Sequence, residues 1–211
     1  MLKRSPRVAA VAAVLALASP TPAWAQSAAS GKAADKVAPA LKELLAPKHG
    51  AAICFTRSYD EAHMRSHPRQ RVRRLSLLVE VEHIQDANLY RYNFVMRAGP
   101  RGKKKPLQTS GECGWAYAEK PREGRLIGCS VECDGGGVEI EQERGAADTL
   151  LMHLADIDAG GKKTGQAGRI RMAACGEDEE TNTVDLVSGA DDRTFRLAKS
   201  PLGACRDGRA R

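Results

Sequence analysis

The sequence predicts a mostly β fold: a small antiparallel β-barrel or sandwich with a short N-terminal helix, braced by disulfides. Three observations predict it. Apolar residues alternate with period two in short segments, where they line one face of a strand. These segments recur about every 8–12 residues without helical spacers, the pattern of sandwiches and barrels. Six cysteines, an even number, follow an N-terminal segment with the layout of an export signal.

That segment comes first in chain order. Lys3, Arg4 and Arg7 precede an apolar run from Val8 to Ala18, and Ser19-Pro20-Thr21-Pro22 breaks it. Ala23-Trp24-Ala25 then offers the small residues that a signal peptidase reads, so residues 1–25 are expected to be a signal peptide cleaved after Ala25. The run is too short for the roughly 20 apolar residues of a spanning helix, so no stable membrane anchor is expected. Its Ala- and Arg-rich style is that of a bacterial export signal, which makes the expected destination periplasmic or secreted. Three of the 33 basic residues and none of the 26 acidic ones lie in this segment, so the formal charge falls from +7 to +4 on cleavage.

Residues 26–48 read as a flexible lead ending in a short helix. Pro39 suits the first turn of Ala40–Leu45 and Pro47 stops it. Residues 49–211 read as a single β-rich domain. Leu75, Leu77, Val79 and Val81 alternate against Glu80 and Glu82, and Tyr90, Tyr92, Phe94 and Met96 against Arg91 and Asn93. Gln85–Asn88 between them is turn chemistry, so strands 73–84 and 89–97 form a hairpin. Arg97–Lys105 reads as an exposed basic loop. Further strands are expected at 112–118, 124–132, 137–143, 148–156, 168–174, 183–187 and 193–198, with a tight turn at Asp134–Gly137.

The cysteines are Cys54, Cys113, Cys129, Cys133, Cys175 and Cys205, and they read as three disulfides rather than metal ligands because no C-x-x-C pair is present. Six cysteines allow fifteen connectivities. Cys129 and Cys133 on one strand would lie about 13 Å apart, beyond the roughly 7 Å that a disulfide tolerates. Cys113 and Cys129 flank a turn around Pro121 and suit a cross-strand bond. Cys175–Cys205 and Cys54–Cys133 would then complete the set.

Motifs for chemistry are sparse. Gly160–Thr164 lacks the order of a phosphate loop. Asp156-x-Asp158-x-Gly160 lacks the distal Glu of a calcium loop. No nucleophile elbow or zinc-protease motif occurs. His63, Met64 and His67 form a soft ligand set that Pro68 interrupts, and His153 reads as a core or edge histidine. No catalytic residue, metal site or cofactor is therefore assigned. Glu80, Glu82 and His83 are close in sequence, but alternation turns His83 away from the two carboxylates.

Charge is the strongest local feature. Arg65, Arg69, Arg71, Arg73 and Arg74 form one basic run, and Arg97, Arg101, Lys103, Lys104 and Lys105 another. The hairpin brings the start of its first strand beside the end of its second, so the two runs should meet in one anion-binding patch. The competing reading is a solvated arginine-rich surface. Nucleic acid is not expected, because residues 60–75 carry no aromatic platform for bases. The function expected is that of an exported, periplasmic, non-enzymatic binding or interaction protein, engaging an anionic envelope polymer, an acidic protein surface or a small ligand. The alternatives are a periplasmic hydrolase using an Asp/Glu/His site, and an inhibitor of an exported enzyme using the Arg97–Lys105 loop.

Overall fold

Eight antiparallel strands close into an up-and-down barrel in which only the last strand comes from outside the consecutive series. The computed structural model describes residues 39–102, 106–114, 126–131, 135–156, 167–172 and 184–206, all within one unit spanning 32–211. The strands are β1 (Ala52–Ser58), β2 (Val72–Ile84), β3 (Leu89–Pro100), β4 (Leu107–Gly114), β5 (Ile127–Ser130), β6 (Gly137–Gln142), β7 (Thr149–Ala155) and β10 (Thr194–Ser200). The barrel closes where β1 pairs with β10 at Cys54↔Ser200. Closure removes the unpaired sheet edges that an open sandwich would leave. The barrel thus decides between the two architectures expected from sequence.

Alternation sets the inside. Phe55, Leu75, Leu77, Val79, Val81, Tyr92, Phe94, Met96, Ile140, Leu150, Met152, Phe195 and Leu197 form one buried cluster. An eight-stranded barrel has an interior that side chains of this size fill. The outer wall carries Glu80, Glu82, Arg91, Glu112, Glu139, Glu141 and Arg196, so the barrel is apolar within and charged without, the reverse of a membrane-spanning barrel. No helix among the described residues is long and apolar enough to cross a membrane.

Both rims are covered. At one, α1 (Pro39–Leu44) buries Leu41 completely, and the Tyr92 hydroxyl donates to the Leu45 carbonyl at 2.9 Å. At the other, α2 (Glu61–Ser66) buries Met64. Its N-terminus is capped by Asp60, whose carboxylate accepts from the His63 amide at 2.7 Å. Beside it lies a separate two-stranded sheet, β8 (Arg169–Arg171) and β9 (Asp185–Val187), which adds Ile170 and Leu186 to the core. Within the segments expected as strands at 168–174 and 183–187, Arg169–Arg171 and Asp185–Val187 are strands, but they stand outside the barrel; residues 173–174 and 183 lie outside the described residues.

Two glycines permit close approach. A Cβ on Gly111 would lie 1.9 Å from the Ser130 carbonyl oxygen, so only glycine lets β5 cross β4 there. Gly136 has φ +68°, and a Cβ would lie 2.2 Å from the Arg169 carbonyl oxygen, where it bridges to Ile170.

Cys113 and Cys129 face each other across β4 and β5 and are bonded, with Cα atoms 4.0 Å apart. Cys54 is bonded to Cys205 on α3 (Leu202–Arg206), with Cα atoms 5.9 Å apart. This overturns the expected Cys175–Cys205 and Cys54–Cys133 pairs. The physical reason is the β1–β10 closure: β10 ends beside Cys54 and α3 folds back onto the outer wall, where the bond joins Leu78, Ala52 and Leu202 in a satellite apolar cluster. Cys133 and Cys175 lie outside the described residues.

Candidate functional site

The β2–β3 hairpin does place the two basic runs at one rim. Val72 pairs with Pro100 and Arg74 with Gly99, so Arg73 is the extra residue of a bulge. The Arg101 amide donates to the Arg71 carbonyl at 2.6 Å, and the Arg101 guanidinium donates to the carbonyls of Pro68 at 3.1 Å and Met64 at 3.3 Å. The part of the Arg97–Lys105 segment that is described is thus strand to Pro100 and then a tethered turn, not a protruding loop. Lys103, Lys104 and Lys105 lie outside the described residues.

Several arginines at this rim hold the fold together. Asp192 is 3 % exposed. Its carboxylate accepts from the Arg71 amide at 2.7 Å and the Val72 amide at 3.3 Å, and lies 3.8 Å from the Arg71 guanidinium. Arg71 also donates to the Val187 carbonyl at 2.8 Å, tying β9 to the start of β2. Arg73 is paired with Glu61 at 2.6 Å. Arg97 donates to Gln108 at 2.7 Å. Arg65, Arg69 and Arg74 are exposed, and among the described residues their guanidinium groups have no ion-pair partner.

A column of stacked rings stands at the same rim. The Arg57 guanidinium lies 4.9 Å from the Tyr59 ring centroid. Tyr59 stacks on His63 at 4.5 Å and His63 on His67 at 4.1 Å, with rings 25° and 15° from parallel. Burial pushes the Tyr59 phenol above its ordinary 10.0, against the pull of Arg57 toward ionisation. His63 is hydrogen-bonded to buried Gln70 at 2.9 Å. Stacked imidazoles present faces to each other, and buried Met64 points into the core, so the sequence grouping His63-Met64-His67 does not converge on one point. Among the described residues no group of three or more His, Cys, Asp or Glu is placed to hold a metal ion.

The carboxylates and histidine noted near the other end of β2 disperse. Glu80 pairs with Arg206 at 2.9 Å, Glu82 accepts from Asn93 at 3.2 Å, and His83 is 3.3 Å from the Asn88 side-chain oxygen.

Titratable groups converge instead on the outer wall of β6, β7 and β10. A pocket of about 290 Å³ there is lined by Leu126, Glu139, Glu141, His153, Leu154, Asp156 and Arg193. His153 Nδ1 lies 2.9 Å from the Thr194 hydroxyl, and Nε2 lies 3.5 Å from Glu141. His153, expected as a core or edge histidine, instead stands on the outer wall of a strand paired on both sides. Register, which the sequence does not display, sets both partners: Thr194 lies directly opposite His153, and Glu141 lies diagonally, two residues beyond the Glu139 that pairs with His153. A second pocket, about 220 Å³, lies between α1 and the β6–β7 turn and is lined by Ala40, Glu43, Leu44, Ile127 and Gln142–Gly145.

Comparison with protein-family models, with curated proteins and with solved structures finds no match to this chain.

Proposed function

We propose that the chain is an exported, periplasmic interaction protein that engages anionic groups through the arginine-rich rim of its barrel. The observation that supports it most is the meeting of two basic runs, separate in sequence, across the Val72–Pro100 and Arg74–Gly99 pairs. Arg71, Arg73 and Arg101 fasten α2, β9 and the β3 turn to this rim. Exposed Arg65, Arg69 and Arg74 then stand on a fixed frame. A held backbone keeps these charges close together and focuses the field that attracts a polyanion. Guanidinium groups also suit phosphate and carboxylate through paired N–H donors. The carboxylates at this rim are engaged internally: Asp60 caps α2, Glu61 pairs with Arg73, Asp191 accepts from the Arg69 amide at 3.2 Å, and Asp192 holds the start of β2. The leader-like segment and two disulfides agree with an oxidising compartment. The partner class is therefore an anionic envelope polymer or an acidic protein surface.

The test is salt-gradient elution of the oxidised protein from a polyphosphate column, beside a variant with Arg65→Gln, Arg69→Gln and Arg74→Gln. These three are chosen because Arg71, Arg73 and Arg101 also support the fold. Retention that the variant loses, with unchanged circular dichroism, is the expected result. Equal elution of both proteins would leave the basic rim as ordinary solvated surface.

A further inference from the structure

On the β6–β7–β10 wall, His153 and Glu141 of the pocket meet exposed Thr194, which stands beside the lining residues, in an arrangement that the arginine rim does not use. Of the five histidines, only His153 bridges a hydroxyl and a carboxylate. His63 meets an amide, His67 a carbonyl and a serine hydroxyl, and His83 an amide, while His49 accepts from the His83 backbone. If Nε2 carries the proton toward Glu141, Nδ1 is left to accept the Thr194 hydroxyl. A hydroxyl, an imidazole base and a carboxylate that orients the base make up the minimal machinery of an activated nucleophile. Here each comes from a different strand of a closed barrel, so the sheet's own pairing holds them in place.

The surroundings support a reaction. His153 and Glu141 are 29 % and 30 % exposed, shielded but reachable. Leu126 and Leu154 give the pocket an apolar part that can take an acyl chain. Arg193 is the only cation among its lining residues, and it can offset charge on a carbonyl oxygen as that charge develops. Glu139, Glu141 and Asp156 outnumber it, so the pocket favours a positively charged substrate.

We propose that Thr194, His153 and Glu141 form an acyl-transfer site that hydrolyses esters bearing a cationic group. The Thr194 oxygen attacks the ester carbonyl carbon as its proton passes to His153 Nδ1. The bond from that carbon to the leaving oxygen breaks, and the same proton goes to the departing alcohol. Water then attacks the acyl-threonine. His153 takes a proton from the water and returns it to the Thr194 oxygen as the acid leaves. Ester and water become acid and alcohol, with no other reactant. Thr194 and His153 are the catalytic residues, and Glu141 is a positioning residue.

The experiment uses the full oxidised protein with acetylthiocholine, a cationic thioester that follows the same steps with a thiol leaving, and with neutral ethyl thioacetate. Four variants are compared: His153→Gln, Thr194→Val, Thr194→Ser and Glu141→Gln. General-base loss should lower the rate about 100-fold or more in His153→Gln. Thr194→Val should abolish turnover, and Thr194→Ser should restore it. Acid-quenched wild-type protein should carry acetyl on the peptide containing Thr194. Glu141→Gln should lower kcat on neutral ethyl thioacetate with KM unchanged, because the imidazole loses the carboxylate that orients it. A merely structural Glu141 would leave that kcat in place. The proposal is overturned if wild type is no faster than His153→Gln and Thr194→Val, or if acetyl appears elsewhere. Equal rates on the two thioesters would overturn the cationic substrate class.

Discussion

Removing each disulfide in turn should rank the two bonds by the length of chain they close. Cys54–Cys205 spans 151 residues and Cys113–Cys129 spans 16. Cross-linking restricts the unfolded chain, and the loop-closure relation gives about 5 kcal/mol for the first and about 3 kcal/mol for the second. Cys113–Cys129 lies within the longer loop and shortens its path by a tenth or so, which changes the first figure little because the dependence is logarithmic. All four half-cystines are buried, with none more than 7 % exposed, so the packing lost on truncation to Ala is comparable in the two pairs. The assay is guanidinium unfolding of Cys54→Ala/Cys205→Ala and Cys113→Ala/Cys129→Ala double variants under oxidising conditions. The first should lose about 2 kcal/mol more than the second. It should also loosen α3, seen as faster amide exchange at Leu202–Arg206, because the Arg206–Glu80 pair and the packing of Leu202 are then left to hold that helix to the barrel wall. Equal losses, or a larger loss in the Cys113/Cys129 variant, would refute the loop-length reasoning.

Other outcomes follow from the same structure. Asp192→Ala should destabilise by about 3 kcal/mol in urea unfolding, since two amides at the start of β2 lose a buried charged acceptor. Asp192→Asn, which keeps an acceptor oxygen, should lose clearly less. Burial raises the Tyr92 phenol from 10.0 to about 12. Its contribution to stability is therefore complete below pH 10.0 and is lost as pH rises toward about 12. Absorbance titration should show a phenol ionising at about pH 12 that Tyr92→Phe removes, and the same variant should flatten the alkaline fall while costing about 1 kcal/mol for the bond to the Leu45 carbonyl. Peptide mapping without reduction should find Cys133 joined to Cys175. Four of the six cysteines are bonded to one another, which leaves these two to pair. Free thiol at either position would contradict a fully paired set.

What the sequence displayed and what it hid divide along a physical line. β2 and β3 were legible because long, strict alternation of large apolar residues marks one buried face, and Gln85–Asn88 turns the chain with Asn88 at φ +46°. That hairpin also made the meeting of the two basic runs legible. β1 (Ala52–Ser58) was missed because only Ile53 and Phe55 signal its inward face. β4 begins at Leu107 rather than 112, because its inward Thr109 and Gly111 carry little apolar signal. α2 is not displayed by the sequence, although Asp60 is a good N-cap, because six residues are too few to show helical periodicity. Cys113–Cys129 follows from local strand pairing, whereas Cys54–Cys205 depends on closure between the first and last strands of the barrel. The relay at His153 was hidden for the same reason. Its hydroxyl partner lies 41 residues away on β10, and only barrel register brings them together.

The central claim is that one rim of this barrel recognises anions. Its most direct test is to follow backbone amide shifts of the oxidised protein during titration with polyphosphate. Saturable shifts are expected, concentrated in residues 65–74 and 97–102, weakened by salt and absent in the Arg65→Gln/Arg69→Gln/Arg74→Gln variant. Shifts that are absent, or that spread evenly over the barrel wall, would contradict the claim.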